Sequence, residues 1–117
     1  MIDQTTIDAF NTRQTVDLNS IKTMKPEQHD RVKHWGSQAE ALLQNRELAL
    51  FVHQFKFEMC DVLAEIKTHS AEDNALRISV SNQIAGIDNF IASLKRAVFF
   101  KNKVIQLQQA KLNETGI

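Results

Sequence analysis

Residues that break helices are almost absent from this sequence. Its 117 residues include one proline, three glycines and no tyrosine, whereas Gln, Ala, Leu, Lys and Glu, which favour helices, are plentiful. The glycines are isolated, at Gly36, Gly86 and Gly116, which excludes a glycine-rich loop of the kind that cradles phosphate. The composition therefore predicts helix nearly everywhere.

Cysteine and long apolar runs are also scarce. The single cysteine, Cys60, has no partner for an internal disulfide, which fits a reducing compartment and leaves an intermolecular bridge as the alternative. The longest unbroken apolar run is Leu48–Val52, which is too short for a transmembrane helix, and residues 1–10 lack the apolar stretch of a signal peptide. We therefore expect a cytoplasmic protein with no membrane partner.

Charge of one sign is not in excess. Lys and Arg total 14, and so do Asp and Glu, so no overall field draws the chain toward nucleic acid or an anionic membrane. With 43% apolar and 24% charged residues, the sequence is typical of an ordinary globular or helical-bundle protein, and the composition excludes disorder throughout.

Apolar spacing predicts a first long helix over residues 26–67. Pro26 marks its start, because proline and acidic residues are favoured in a first helical turn. One apolar stripe is interrupted at Asn45 and Arg46, and the next repeats as a heptad. Since the stripes differ in phase, the helix kinks or restarts near Asn45, or absorbs the slip as a change in winding. The first stripe is Val32, Trp35, Ala39 and Leu42, and the second is Leu48, Val52, Phe55, Met59, Val62 and Ile66.

A second long helix is predicted over residues 71–112. Ser70 with Asp73 resembles a capping box that starts this helix after a short turn. Two arms of nearly equal length joined by a tight turn predict an all-α fold, a long antiparallel helical hairpin that forms a domain over residues 26–117. The apolar stripe of the second arm is Leu76, Val80, Ile84, Ile87, Ile91, Leu94, Val98, Ile105 and Leu112.

Residues 1–25 differ from the hairpin, since their apolar residues are scattered among Thr, Asp, Asn and Gln. We predict a weakly helical N-terminal arm, with a short helix within residues 16–24, that docks on the hairpin or on a partner.

The histidines do not form a metal-binding pattern. His29 and His34 are five residues apart and point to different helix faces, and His53 and His69 lack a ligand-type neighbour at matched spacing. We therefore expect no metal site.

The sequence also lacks a recognisable catalytic constellation. The row Glu58, Asp61 and Glu65 is typical of a solvated helix face, and we interpret Cys60 as a packed small apolar residue, since no base is identifiable beside it. We expect no catalytic residue and no cofactor, and we interpret the protein as not being an enzyme.

One basic cluster is interleaved with Phe99 and Phe100, so it offers phosphate contacts and stacking to nucleic acid. We favour the alternative, in which these cations are the solvated flank of a helix. The cluster is Lys95, Arg96, Lys101 and Lys103.

Gly86 lies in the middle of the second predicted helix. It indicates a place where another helix approaches closely, or it is simply tolerated within the helix.

The sequence has more large apolar residues than a two-helix hairpin can bury. Leaving several phenylalanines in water would lower stability and solubility, because each Å² of exposed apolar surface costs about 25 cal/mol. We therefore expect a homo-oligomer or a larger protein assembly. The predicted interface residues are Leu50, Phe51, Phe57, Phe90, Phe99, Phe100 and Val104.

Residues 40–105 resemble small helical proteins encoded in tailed-bacteriophage gene clusters. The resemblance is carried by Leu42-Leu43-x-Asn45, by Phe51 and Leu63 in the first arm, and by Asp73 with Arg77 four residues later. It continues through Ile87, Leu94 and Lys101 in the second arm. The chain has Arg46 and Ile78 where those proteins often carry Pro and Glu. The resemblance implies a role in virion assembly or a phage accessory role in a bacterial host cell, without a catalytic site.

Two hypotheses for function follow. The first is a structural or interaction protein whose hairpin self-assembles or packs onto a larger assembly, such as a phage particle. The alternative is a small regulator or inhibitor that binds a host protein or nucleic acid through residues 95–103.

Overall fold

A computed structural model describes residues 3–11 and 16–115 and contains five helices within them. No β-strand occurs in those two ranges, so the predicted all-α class is confirmed. The helices are α1 (Gln4–Asn11), α2 (Leu18–Ile21), α3 (Pro26–Leu43), α4 (Arg46–Glu65) and α5 (Ala71–Thr115).

The first predicted arm is two helices, because the chain ends one helix and starts another at residues 44–45. Gln44 caps the end of α3, and the Asn45 side chain accepts a hydrogen bond from the backbone N–H of Leu48, at 2.9 Å. An asparagine that bonds the third residue after it is an N-cap, and it satisfies one of the unpaired donors of a new helix. Of the three alternatives for the phase slip, the structure shows the restart.

The turn between the arms covers residues 66–70. The Ser70 hydroxyl accepts a hydrogen bond from the backbone N–H of Asp73, at 3.1 Å, which confirms Ser70 as the predicted N-cap. The Asp73 carboxylate in turn accepts a hydrogen bond from the Thr68 hydroxyl. This cap starts a 45-residue helix, α5, which continues to Thr115, three residues beyond the predicted end.

The first arm runs antiparallel to α5, since residues further along it contact residues earlier in α5. Lys33 donates to Gln108 at 3.0 Å and Lys101 donates to Glu40 at 2.8 Å, while Lys56 of α4 donates to Asp88 at 2.8 Å. The molecule measures 69 × 31 × 26 Å, with a radius of gyration of 19.9 Å. A compact chain of this length would have a radius near 13 Å, so the fold is a rod with a large surface for its mass.

Most of the core lies between α2, α3 and the C-terminal half of α5, and Val80 in the N-terminal half of α5 is buried as well. One buried cluster joins Ile21, Val32, Phe100 and Val104. The second cluster joins Ala39, Leu94 and Ala97. Both clusters contain residues of α5, so α5 is the helix against which α2 and α3 pack.

The N-terminal arm contributes to this core through α2, which lies inside the predicted short helix. The buried ring of His29 bonds the carbonyl oxygen of Ile21 through Nε2, at 2.7 Å. Because a carbonyl only accepts, this nitrogen carries the proton.

Asp3, just before α1, is exposed, and its carboxylate accepts hydrogen bonds from Thr6, chiefly from the Thr6 backbone N–H. These hydrogen bonds lower the pKa of the Asp3 carboxyl.

Two residues of the predicted first stripe are not buried, which corrects the expected face of α3. Trp35 and Leu42 are 41% and 42% exposed, whereas His29, Val32, Gly36 and Ala39 are buried. The physical reason is the close approach of α5 at Gly36, which centres the contact on the smallest residue and leaves Trp35 and Leu42 on its flank.

Gly86 does not mark a close approach within the chain. A Cβ added there would meet no atom within 4 Å, whereas one added at Gly36 would lie 2.7 Å from the Ala97 carbonyl oxygen. Within the chain, the close helix contact therefore occurs at Gly36 and not at Gly86.

The buried face of α5 also differs from the predicted stripe. Leu76 and Leu112 are exposed, and Ala97, Phe100 and Val104 are buried although they lie off the stripe. The reason is that α5 contacts α4 along its N-terminal half and α3 along its C-terminal half, on different sides. A single stripe cannot describe both contacts.

Candidate interaction surface

The hairpin formed by α4 and residues 71–92 of α5, which we call the distal hairpin, is loosely packed. None of the residues of α4 is buried, and its heptad stripe is only half-buried against α5. Phe51 and Phe57 are 73% and 67% exposed. The distal hairpin therefore presents an apolar surface that α4 and α5 do not cover by themselves.

The exposed residues of α4 lie away from the stripe that contacts α5. Leu50 and Phe57 are seven residues apart, which places them on one helix face. They follow Leu48 and Phe55 of the stripe by two residues, or about 200°, which turns them to the opposite side. The outer side of α4 therefore carries a short apolar row of its own.

Phe99 is a half-exposed aromatic residue that contacts the buried ring of Phe100. Its ring packs edge-on against Phe100, with centroids 5.5 Å apart and planes at 70°. The Lys103 ammonium lies 5.3 Å from the Phe99 ring centroid, a cation–π contact. Because Phe100 is buried, the Phe99 ring rests against a side chain that belongs to the core.

Five of the seven predicted interface residues are exposed and two are not. Phe100 is 8% exposed and Val104 is fully buried, and both pack in the cluster with Ile21 and Val32. The prediction that they face a partner is wrong, because α2 and α3 of the same chain cover them. The exposed five are Leu50, Phe51, Phe57, Phe90 and Phe99.

The basic cluster is divided by the fold. Lys101 forms an ion pair with Glu40, with its side chain only 19% exposed, and Lys103 covers the Phe99 ring. Within residues 3–11 and 16–115 no ion pair involves Lys95 or Arg96, and both are exposed. Only half of the cluster therefore points outward for a phosphate contact.

A groove of about 460 Å³ opens where the first arm is broken. Its apolar wall includes Leu43, Val52 and Ile91, and its rim includes Lys95 and the ion pair between Lys56 and Asp88. The groove exists because α3 and α4 contact different sides of α5 and diverge at residues 44–45. It extends the uncovered apolar surface toward the middle of the rod.

Several apolar residues that are exposed in the structure were not predicted to be exposed from the sequence. Ile78 is 64% exposed, and Leu76 is also exposed. Trp35 and Leu42 line a second shallow groove beside Leu94. A signal for Ile78 exists in the sequence, because Ile78, Ala85, Ala92 and Phe99 follow one another at steps of seven, but the stripe through Val80 and Ile84 is stronger and conceals it.

The described part of the chain offers no metal-binding group and no membrane span. Nowhere in it do three or more His, Cys, Asp and Glu side chains come together as metal ligands would, and none of its helices combines the length and hydropathy needed to cross a bilayer. Cys60 is an exposed free thiol, not the packed residue that we expected.

No family model, curated protein or solved structure matches this chain. Its function has to be inferred from its own surface.

Proposed function

We propose that the protein is a non-enzymatic interaction protein whose helical rod self-associates as part of a larger protein assembly. The observation that supports this is the composition of the distal hairpin. No residue of α4 is buried, and two large apolar side chains of this helix, Phe51 and Phe57, are mostly exposed to solvent. Two helices bury one stripe each, and apolar rows outside those stripes are typical of surfaces that other helices cover.

The size of the exposed side chains supports the same function. Fully burying one phenylalanine contributes about 1.5–3 kcal/mol relative to leaving it in water. The chain gains little of this from Phe51 or Phe57 as a monomer, and a contact between copies would supply it. The resemblance of residues 40–105 to small helical phage proteins adds a context to the proposal, the assembly of a virion or of an accessory particle.

Thermal unfolding at several protein concentrations tests the proposal. Assembly stabilises the folded state by mass action, so the Tm of the wild-type chain should rise with concentration. The double variant Phe51→Ser/Phe57→Ser should show a smaller rise with concentration, because the contacts between copies that these two side chains supply are lost. It should have nearly the wild-type Tm at the lowest concentration, because neither side chain is buried within the monomer.

Gln54→Ser is the matched control, since Gln54 lies between the two phenylalanines on α4 and is also exposed. It should keep the concentration dependence of the wild type. A wild-type Tm that does not change with concentration would contradict self-association.

A further inference from the structure

α5 carries a second exposed stripe that its contacts with α3 and α4 leave open, and one of its residues, Ala92, also lines the edge of the groove at the break in the first arm. Ile78 and Phe99 are its two ends, at 64% and 45% exposure, and both alanines between them are exposed. Steps of seven residues keep all four on one side of a helix, along about 32 Å. We call Ile78, Ala85, Ala92 and Phe99 the outer stripe.

From these residues we infer that the outer stripe is a dimer interface, and that it packs against the outer stripe of a second, antiparallel copy. This inference rests on the proposed self-association and states where the first contact forms. The order of side chains along the stripe is large, small, small, large, and that order is the same in both directions. Two antiparallel copies therefore place Ile78 opposite Phe99 of the partner, and Ala85 opposite Ala92 of the partner.

The alanines fit this register because they allow two helices to approach closely. Small residues at the centre of a helix pair lower the interaxial distance, and large residues at the ends then fill the wider gaps. The two-fold axis passes between residues 88 and 89, close to the middle of α5. Each Ile78 packs onto a Phe99 ring that already contacts Phe100 and Lys103 of its own chain, which lowers the side-chain entropy lost on binding.

The charges along α5 favour the antiparallel orientation over the parallel one. Residues 71–92 carry three acidic side chains and one basic side chain, whereas residues 93–115 carry five basic side chains and one acidic. In the proposed register Lys103 of one copy lies opposite residue 74 of the other, within two residues of Glu72 and Asp73. A parallel pair would place like charges together at both ends, which is unfavourable.

The position of the outer row of α4 also supports a second copy of this chain as the partner. The outer row of α4, Leu50 and Phe57, is exposed on the side of α4 opposite its contact with α5, so it is not part of the outer stripe. A dimer built on α5 leaves that row exposed at both ends of the pair. It is then available for the contacts between dimers that a larger assembly needs.

Cysteine cross-linking tests the register directly. In a Cys60→Ser background, the double variant Ala85→Cys/Ala92→Cys should form a covalent dimer under mild oxidation, because each new thiol faces the other kind in the partner. Neither single variant should cross-link, since equal positions are then offset by about 10 Å along the axis, and a disulfide needs Cα atoms within about 7 Å. The same distance prevents a bridge within one chain.

A mixture of the two single variants supplies an independent readout, because it should yield the covalent dimer that neither gives alone. Circular dichroism checks that each variant keeps its helicity. As a second measurement, Ile78→Ser should raise the dimer dissociation constant by about tenfold or more, while Gln83→Ser, at an exposed position on another side of α5, should leave it unchanged.

Three results would overturn the inference. Efficient cross-linking of Ala85→Cys alone would indicate a parallel pair. A multimer by light scattering with no cross-link in the double variant would place the interface elsewhere while leaving the proposed self-association intact. A monomer by light scattering would contradict both.

Discussion

Gly36 of α3 and Ala97 of α5 lie so close together that no side chain fits between them. A Cβ on Gly36 would lie 2.7 Å from the carbonyl oxygen of Ala97, a distance that real Cβ atoms almost never show. The Cβ of Lys101 would lie nearer still, and neither atom can move aside as the end of a flexible side chain can, because one belongs to the α5 backbone and the other is bonded to it. This contact fixes how deeply α3 packs into α5, and therefore where the core lies.

Gly36→Ala should destabilise the protein although alanine is the better helix former. The gain in helix propensity is about 1 kcal/mol, but the methyl group forces α3 away from α5, and overpacking of this kind costs about 1–3 kcal/mol. The shift also loosens the cluster of Ala39, Leu94 and Ala97. We expect a net loss of up to about 2 kcal/mol in the free energy of unfolding, measured by urea denaturation.

Gly86→Ala is the control for that variant. It has the same chemistry in the same kind of helix, but no atom lies within 4 Å of the added Cβ. It should raise the free energy of unfolding by up to about 1 kcal/mol. Equal effects of the two variants would contradict the close contact at Gly36.

Phe99 and Phe100 are neighbours in the chain and should respond oppositely to substitution. Phe100→Ala removes a buried ring from the cluster with Ile21 and Val104, and it should cost about 3–5 kcal/mol in unfolding free energy. Phe99→Ala should cost less than about 1 kcal/mol in the monomer but weaken self-association. Urea denaturation and sedimentation velocity on both variants separate the two effects, and similar losses of stability would show that both rings are core.

The two ion pairs that link α5 to the first arm should differ in strength. The Lys101 side chain is 19% exposed in its pair with Glu40, whereas Lys56 and Asp88 are 40% and 55% exposed. Solvent screening and side-chain entropy weaken exposed pairs. Double-mutant cycles with Gln substitutions should give a coupling of about 1 kcal/mol for Lys101 with Glu40, and about 0.5 kcal/mol or less for the other pair. A reversed order would contradict the difference in burial.

α4 should be the least protected of the long helices in hydrogen exchange. Local unfolding is easiest where few side chains are buried, and α4 has none. At the lowest working concentration its amides should exchange faster than those of α3, whose side chains form part of both core clusters. Equal protection would show that α4 is held by contacts within the monomer.

The sequence predicted the helices well because their ends depend on local chemistry. Pro26 begins α3, Asn45 caps the start of α4 and Ser70 caps the start of α5, so each of these starts depends on a residue at the start itself. The half-buried stripe of α4 was also predicted, since its heptad spacing is unbroken. These features need no knowledge of distant neighbours.

The partners of each helix face could not be predicted in the same way. A period of 3.6 shows that a face is apolar, but it does not identify the neighbour that covers the face. The contacts that decide the packing involve Gly36, Ala39 and Ala97, and small residues add little to an apolar pattern. The sequence therefore could not show that α5 packs against α4 along its N-terminal half and against α3 along its C-terminal half. For the same reason it did not predict that Phe100 and Val104 are buried.

The most direct test of self-association is the mass of the wild-type protein in solution, measured by light scattering across a range of concentrations. The chain has a mass of 13.4 kDa, and we predict a species of at least twice that mass which persists at high salt, because the contacts are mainly apolar. A mass equal to one chain at every concentration would contradict the account and would mean that the distal hairpin remains uncovered until a different protein binds it.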